Sequence, residues 1–338
     1  MSNEILRAAV IGCGEHSQEN LIPSLALQER VNILATCDID KGAAASAARH
    51  FADCKVETSY HAIFEIEGLD AIIVAATPTV HYAVARIALE NNLHVFVEKP
   101  PTSTRDQLLE LADLADERNL VTCVGHNLRH ATAAIELQAL LNSGPGSVEQ
   151  YGEVFGNPVA MEMRYFASKP KGDRWDLNSP VRSFLLSHAN HAIDFMIYQM
   201  GPINKVNAVI ASENVNGIAL SVQFSFQRGA IGNLLATSYA PSFTISGTIV
   251  SNLNRIAQLN SLHEVVAYGI GDDKKRWGRC WTSKTLLTGY EAAGYSNELG
   301  QFIRAALAKK PDQCHPSFRD EIAVYAAIDD IERMLKGQ

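Results

Sequence analysis

The rhythm of hydrophobic and polar positions changes near residue 126. From residue 6 to about 126, short apolar runs ("RAAVIG", "VNILATCD", "LDAIIVAAT", "LHVFVE", "LVTCVG") alternate with stretches such as "DKGAAASAARHFA" and "TVHYAVARIALENN", whose apolar residues recur at three and four. Runs this short, β-rich and nearly free of polar residues suit strands covered on both faces, and the stretches between them carry helical spacing. They predict an α/β domain with a doubly wound parallel sheet. After residue 126 a helix, "TAAIELQALLNSG", runs into Gly-Pro-Gly, and strands then dominate: "PVAMEMRYFA", "KVNAVIASE", "IALSVQFSFQRG", "AIGNLLATSYA" and "FTISGTIVS". Several alternate apolar with polar residues, which predicts a large, mostly antiparallel open sheet with one exposed face. Two helical stretches, "NELGQFIRAALAKK" and "RDEIAVYAAIDDIERMLKG", close the chain. The expectation is two domains, residues 1–126 and an α+β domain over 127–338. The length of 338 residues agrees, because single cores stop growing at roughly 250 to 300 residues.

Composition narrows the function classes. Apolar and charged fractions of 47% and 20% are those of ordinary globular chains, and no run approaches the roughly 18 apolar residues of a membrane span. The N-terminal "MSNEILRAAVIG" holds an acidic residue and leads straight into a strand, the wrong layout for a signal peptide, so a cytoplasmic location is expected. A formal charge of −8 argues against a general nucleic-acid or acidic-membrane binder, although a local basic patch stays open. The six cysteines, Cys13, Cys37, Cys54, Cys123, Cys280 and Cys314, are scattered with no C-x-x-C pair, as expected for reduced, mostly buried thiols.

"AAVIGCGEHS" sets Gly12 and Gly14 directly after the first strand, where a helix should begin. In a Rossmann dinucleotide fingerprint the first glycine makes the tight turn, and the second lets backbone N–H groups and the helix N-terminus approach a pyrophosphate. Glu15 and His16 follow as cofactor contacts, and Ser17 stands where a third glycine would be. Asp38 ends the second strand at the distance where an acidic side chain accepts from a ribose 2′-hydroxyl. Its charge would repel a 2′-phosphate, which favours NAD, while Lys41 nearby keeps NADP open. Strands four and five end in "AATPTVHY" and "VFVEKPPTST", and ligands bind at strand C-termini in such sheets, so Ala76, Thr77, Pro78, His81, Glu98, Lys99 and Pro100 are expected to line the crevice.

The stretch "FLLSHANHAIDFMIYQMG", Phe184 to Gly201, sets His188, His191 and Asp194 in an otherwise apolar helix. On an α-helix His188 and His191 lie about 60° apart and His188 and Asp194 about 120°, so three ligands do not converge and no metal site is expected. Core histidines with local partners are one reading. The other is an acid/base group, since moving a hydride between carbon and nicotinamide requires a proton on the adjacent oxygen, and histidine titrates near working pH.

The succession G-x-G, "ATPTVH", "EKP", "GHNLRH", "HAIDFMIYQMG" and "GYSNELGQFIRAAL" resembles the Gfo/Idh/MocA family of nicotinamide-dependent oxidoreductases over nearly the whole chain. The resemblance implies that Lys99, the EKP lysine, hydrogen-bonds the reacting hydroxyl and that His191 is catalytic. It also implies an Asp, His, Asp pattern that aligns with Ser187, His191 and Asp194; Ser187 is a departure, able to bind substrate but not to supply negative charge. His188 or Asn190 would then take over substrate contacts. Asp194 is expected to be structural, orienting the helix or binding a backbone amide. The segment "KPKGDRWDLNSPVRSF" would help form the substrate pocket, with Arg164, Lys169, Arg174, Trp175 and Arg182 as candidates for an acidic group, and Asn127 and Arg129 would contact nicotinamide or substrate. The expected reaction interconverts a secondary alcohol and a ketone on a sugar, cyclitol, amino-sugar or nucleotide-sugar, in a homodimer or homotetramer paired through the open sheet. A non-catalytic dinucleotide-binding regulator and an NAD-dependent glycosidase-type enzyme are the alternatives.

Overall fold

Six strands, β1 (Leu6–Ile11), β2 (Val31–Cys37), β3 (Lys55–Glu57), β4 (Ala71–Val74), β5 (His94–Glu98) and β6 (Thr122–Gly125), pair in parallel in the order β3-β2-β1-β4-β5-β6. The computed structural model describes residues 4–142, 154–214, 217–271, 274–282 and 289–337; the expected Gly-Pro-Gly stop at 144–146 lies outside them. β4, β5 and β6 are buried at every position, which is why their sequences run apolar without alternation. Chain order reverses between β1 and β4, the switch point at whose strand C-termini open α/β sheets bind ligands. Local chemistry fixes the helix starts. Asp40 accepts from the N–H groups of Gly42 and Ala43 to begin Lys41–Ala48, and Thr104 and Gln107 form a capping box for Arg105–Glu117.

By internal contacts the chain divides into Met1–Asn127 with Tyr295–Ile322, and Leu128–Gly294 with Ala323–Gln338. Tyr295–Ile322, which the sequence reading left in the second domain, therefore packs with the first. On the helix Tyr295–Ala308 the residues Leu299, Phe302, Ile303 and Ala306 form a stripe that joins Leu6, Ala8, Val10 and Phe96 in one buried cluster. Phe302 meets Phe96 edge-on at 5.9 Å between ring centroids. Periodicity shows that this helix must bury a face; it does not say against which sheet.

In the second unit, β7 (Pro158–Phe166), β8 (Ile203–Asn214), β9 (Gly217–Phe226), β10 (Ile231–Thr237), β11 (Thr244–Ser251), β12 (Arg255–Asn260), β13 (Glu264–Ile270) and β14 (Arg276–Thr282) form a sheet in the order β14-β13-β12-β11-β7-β10-β9-β8. All its neighbours are antiparallel except β10 and β7. Alternation sorts its faces. Leu220, Val222 and Phe224 of β9 are buried, whereas Ser221 and Gln223 are exposed, as are Ile231 and Leu235 of β10. Among the described residues no helix is long and apolar enough to cross a membrane, and all six cysteines are free thiols, four of them buried.

Candidate active site

Gly12 sits at φ +89°, and a Cβ there would lie 2.1 Å from the Ala75 carbonyl oxygen, so only glycine lets β1 end against the end of β4. A Cβ on Gly14 would meet nothing within 4 Å; this is the open face through which a pyrophosphate reaches the backbone in a dinucleotide turn. Ser17 explains the missing third glycine. Its side chain is buried and its hydroxyl donates to the Gly12 carbonyl at 2.7 Å, bracing the turn from beneath. Asp38 is fixed by two backbone donors, Cys13 N at 2.7 Å and Asp40 N at 2.9 Å. Each oxygen keeps a further lone pair, so the carboxylate can still accept a ribose hydroxyl beside the turn. The residues present thus fit a dinucleotide: the turn, the helix start and an acceptor at the end of β2.

Glu98 is buried at the end of β5, its Oε2 accepting from Lys99 N at 3.2 Å and its Oε1 lying 3.2 Å from His16 Nε2. Gly125 on β6 makes room, since a Cβ there would come 2.7 Å from Glu98 Oε1. Burial pushes the Glu98 carboxyl up, but His16 and Lys99 outweigh it and hold it below the usual range. Glu298, on the helix Tyr295–Ala308, is fully buried near it and is raised well above the usual range by burial, then by Glu98. The two carboxyls are therefore pushed in opposite directions, Glu98 toward its ionised form and Glu298 toward its neutral one. Sequence reading missed Glu298, although it falls four residues before Phe302 on the apolar stripe, the signal that could have found it.

Glu15 and His16 open the helix after the turn and are exposed; Thr77, in extended conformation, precedes Pro78 at the first position of Pro78–Glu90; Asn127 is buried just beyond β6. His81 departs from expectation. It is 1% exposed, and both ring nitrogens are committed to backbone, Nε2 accepting from Ala76 N at 2.6 Å and Nδ1 donating to the Pro100 carbonyl at 2.9 Å. It ties together the loops after β4 and β5 and so positions Lys99 through Pro100. Burial lowers its pKa from 6.5 to about 4. As pH falls from 6.5 to 4 the unfolded chain takes up a proton that the folded chain refuses, so this group withdraws about 3 kcal/mol of stability over that window. Urea unfolding followed by far-UV circular dichroism should show that extra loss in the wild type and not in His81→Gln.

In the second unit, Pro180–Phe184, a π-wound turn Leu185–Ala189 and Asn190–Met200 form one helical run, capped by the Ser179 hydroxyl at Arg182 N and ended by Gly201 at φ +87°. His191 is 8% exposed, and its ring lies 19° from parallel to that of Tyr165 at 6.5 Å. Tyr165 also meets His188 edge-on at 6.5 Å and Phe243 at 5.2 Å. Burial pushes the Tyr165 phenol above its ordinary range. Sequence reading missed this tyrosine because it occupies an inward position after Met161 and Met163 on β7 and reads as core; its polar tip was the only signal. His188 Nδ1 lies 2.8 Å from Ser187 Oγ.

Other candidates are spent on structure. Arg129 binds Asp194 through Nε–Oδ2 at 2.7 Å and Nη2–Oδ1 at 2.5 Å, over the Tyr198 ring, so Asp194 holds a guanidinium. Arg182 is paired with Asp329 and Glu332, and Arg164 with Glu162. The Asn190 amide, fully buried, donates to the Leu186 carbonyl and accepts from His191 N, which leaves it inside the helix. Trp175 sits at φ +57°, and Asp176 and Asn178 are also left-handed; three such non-glycine residues in one short loop mark stored strain of the kind found at binding sites. The Arg174 guanidinium covers the Trp175 ring at 4.8 Å.

Residues 6–126 match the Gfo/Idh/MocA family, described as an oxidoreductase family with an NAD-binding Rossmann fold. Over 235 residues the chain is 26% identical to dTDP-3,4-didehydro-2,6-dideoxy-alpha-D-glucose 3-reductase of Saccharopolyspora spinosa, covering 68% of this chain and 67% of that one. The crystal structure of a dehydrogenase from Chromobacterium violaceum superposes with a TM-score of 0.90 at 28% identity, over 99% of this chain and 96% of the other. Levoglucosan dehydrogenase in complex with NADH and L-sorbose shares the fold, with a TM-score of 0.82 at 20% identity over 99% and 97%. With their glycine turn and strand order, residues 6–126 are thus similar to the NAD-binding Rossmann domain of the Gfo/Idh/MocA oxidoreductase family, and the likeness to a solved dehydrogenase extends over the rest of the chain.

Proposed function

We propose that this chain interconverts a secondary alcohol and a ketone on a sugar or nucleotide-sugar, with NAD(H) preferred to NADP(H). Support for the substrate class comes from the similarity to a nucleotide-sugar 3-reductase and from the protein's own chemistry. The observation that carries the reading is the retention of two groups able to move a proton, Lys99 at the end of β5 and the nearly buried His191, which a protein that merely held a dinucleotide would not need. The nicotinamide supplies the hydride. The Lys99 ammonium donates to the reacting oxygen and stabilises its negative charge, while the His191 imidazole takes or returns the proton. Low exposure keeps water from competing with substrate for that imidazole. Trp175 and its strained loop offer an aromatic face for a sugar ring.

Purified protein assayed against sugars, cyclitols and nucleotide-sugars should form NADH with at least one of them; a chain that takes up no dinucleotide by calorimetry refutes the proposal. Asp38 decides between the cofactors. Its fixed carboxylate is expected to favour NAD over NADP by about tenfold or more in kcat/KM, through repulsion of the 2′-phosphate, and Asp38→Ala to narrow that ratio. A native preference for NADP would overturn the assignment of Asp38.

A further inference from the structure

A pocket of about 420 Å³ opens at the N-terminal edge of the six-stranded sheet, the edge opposite the strand ends that face the dinucleotide turn. Leu6 and His94 begin β1 and β5, Asp70 directly precedes β4, and Ala306, Leu307 and Lys309 close the pocket from the end of the helix Tyr295–Ala308. All of them belong to the first unit. The volume lies in the range of small-molecule sites, and the oxidoreductase reading makes no use of it.

Once internal bonds are set aside, the polar groups left to this pocket are donors. His94 is 8% exposed, and its Nδ1 accepts from Val121 N at 3.0 Å. A nitrogen that accepts from a backbone N–H carries no hydrogen of its own, which excludes both the imidazolium and the Nδ1–H tautomer; the ring's one proton sits on Nε2. Burial lowers the pKa of this ring, against the pull of Asp70 and with the help of the Lys309 charge, in keeping with a neutral ring. Among the described residues Nε2–H has no acceptor. Asp70 is committed, accepting from Arg7 N, Nε and Nη2, each at 2.9 Å. The helix-end carbonyls are committed too, Ala305 O to Lys310 N at 3.0 Å and Ala306 O to Lys309 N at 3.1 Å. Arg118 takes the Asn92 side-chain oxygen at 2.9 Å, which leaves the amide NH2. Lys309 forms no ion pair among the described residues, and its charge acts on the His94 ring whereas that of Glu4, the other acid on the lining, does not.

We propose that this pocket binds a small organic acid, its carboxylate held by His94 Nε2–H and the Lys309 ammonium and its hydrocarbon body laid against Leu6, Leu69, Ala306 and Leu307. A carboxylate meets both donors at once, and a charge-assisted bond is roughly twice as strong as a neutral one. The apolar walls add about 0.8 kcal/mol for each methylene taken out of water, so an acid with a short chain outbinds a bare anion.

Nitrogen-15 spectra of histidine-labelled full-length protein test it, with His94 assigned by difference from His94→Gln. The free protein should show the proton on His94 Nε2, and hexanoate should move that resonance saturably. Acetate, which keeps the carboxylate and lacks the chain, should bind at least about tenfold more weakly, and 1-hexanol, which keeps the chain and lacks the charge, should leave the resonance in place. Lys309→Gln, a change at an exposed position, should raise the Kd for hexanoate about fivefold or more. A proton on Nδ1 in the free protein, no saturable shift with hexanoate, equal binding of acetate, an equal response to 1-hexanol, or an unchanged Kd in Lys309→Gln each overturns the proposal.

Discussion

Lys99→Ala and His191→Asn should each lower kcat by about tenfold to a thousandfold while the Kd for NADH changes by less than about threefold. The two losses have different physical origins. Without the Lys99 ammonium the developing oxyanion loses its nearest positive charge, an interaction stronger in the transition state than in the ground state, so kcat and kcat/KM fall together. Without the His191 imidazole the proton must travel through water or another side chain, and the pH dependence of kcat near neutrality flattens. His191→Asn is preferred to alanine because the ring stacks on Tyr165 in a nearly buried setting, and truncation would leave a cavity. Steady-state kinetics beside calorimetric titration with NADH separate chemistry from binding. Full kcat in both variants would remove the proposed site altogether.

The fold was legible where burial imposes a simple period. Two-sided burial left β4, β5 and β6 as unbroken apolar runs, and one-sided burial left β9 and β10 alternating, so a parallel and a mainly antiparallel sheet could be told apart before any coordinates. Two features could not. The parallel pairing of β10 with β7 arises because long chain segments separate the two strands, and alternation is the same in either direction. The placement of Tyr295–Ala308 against β1 and β6 depends on which surface its stripe of Leu299, Phe302 and Ile303 fits; a helical period specifies a face and never a partner.

The candidate site divides in a similar way. The placement of Gly12, Asp38 and the Glu98-Lys99 step at strand ends was legible, because backbone geometry or charge demands those residues there. Three arginines have partners that the sequence did not reveal. Arg129, Arg182 and Arg164 stand in stretches rich in turns and cations and look available, but their partners lie 65, 147 and 2 residues away in sequence, and only the first two are held away from solvent. The backbone partners of His81 were hidden for the opposite reason. A histidine at a strand C-terminus suggests a ligand contact, and nothing local reveals that Ala76 N and the Pro100 carbonyl will claim both nitrogens. The same blindness to distant partners hid Glu298, whose environment is made by Glu98 on another element.

Breaking the Arg129–Asp194 pair should destabilise the second unit by about 3–5 kcal/mol, since either single substitution strands a charge away from water. The pair is bidentate, Asp194 is fully buried, and the Arg129 guanidinium also lies 4.8 Å over the Tyr198 ring. Asp194→Leu leaves a cation with its two strongest acceptors gone; Arg129→Met leaves a carboxylate in an apolar helix face beside Ile193 and Ile197. The double variant removes both charges at once and should cost less than the sum of the singles by about 2 kcal/mol or more. Denaturant unfolding can be read in this unit alone, because all three tryptophans, Trp175, Trp277 and Trp281, lie within Leu128–Gly294. Strict additivity would mean that the two groups do not compensate each other, and that Arg129 is held for something other than Asp194. Strong coupling would tie the arginine of the helix Asn127–His130 to the helix that carries His191: Asp194 stands one turn after His191, and the guanidinium that neutralises it would keep that face of the helix in register for the imidazole.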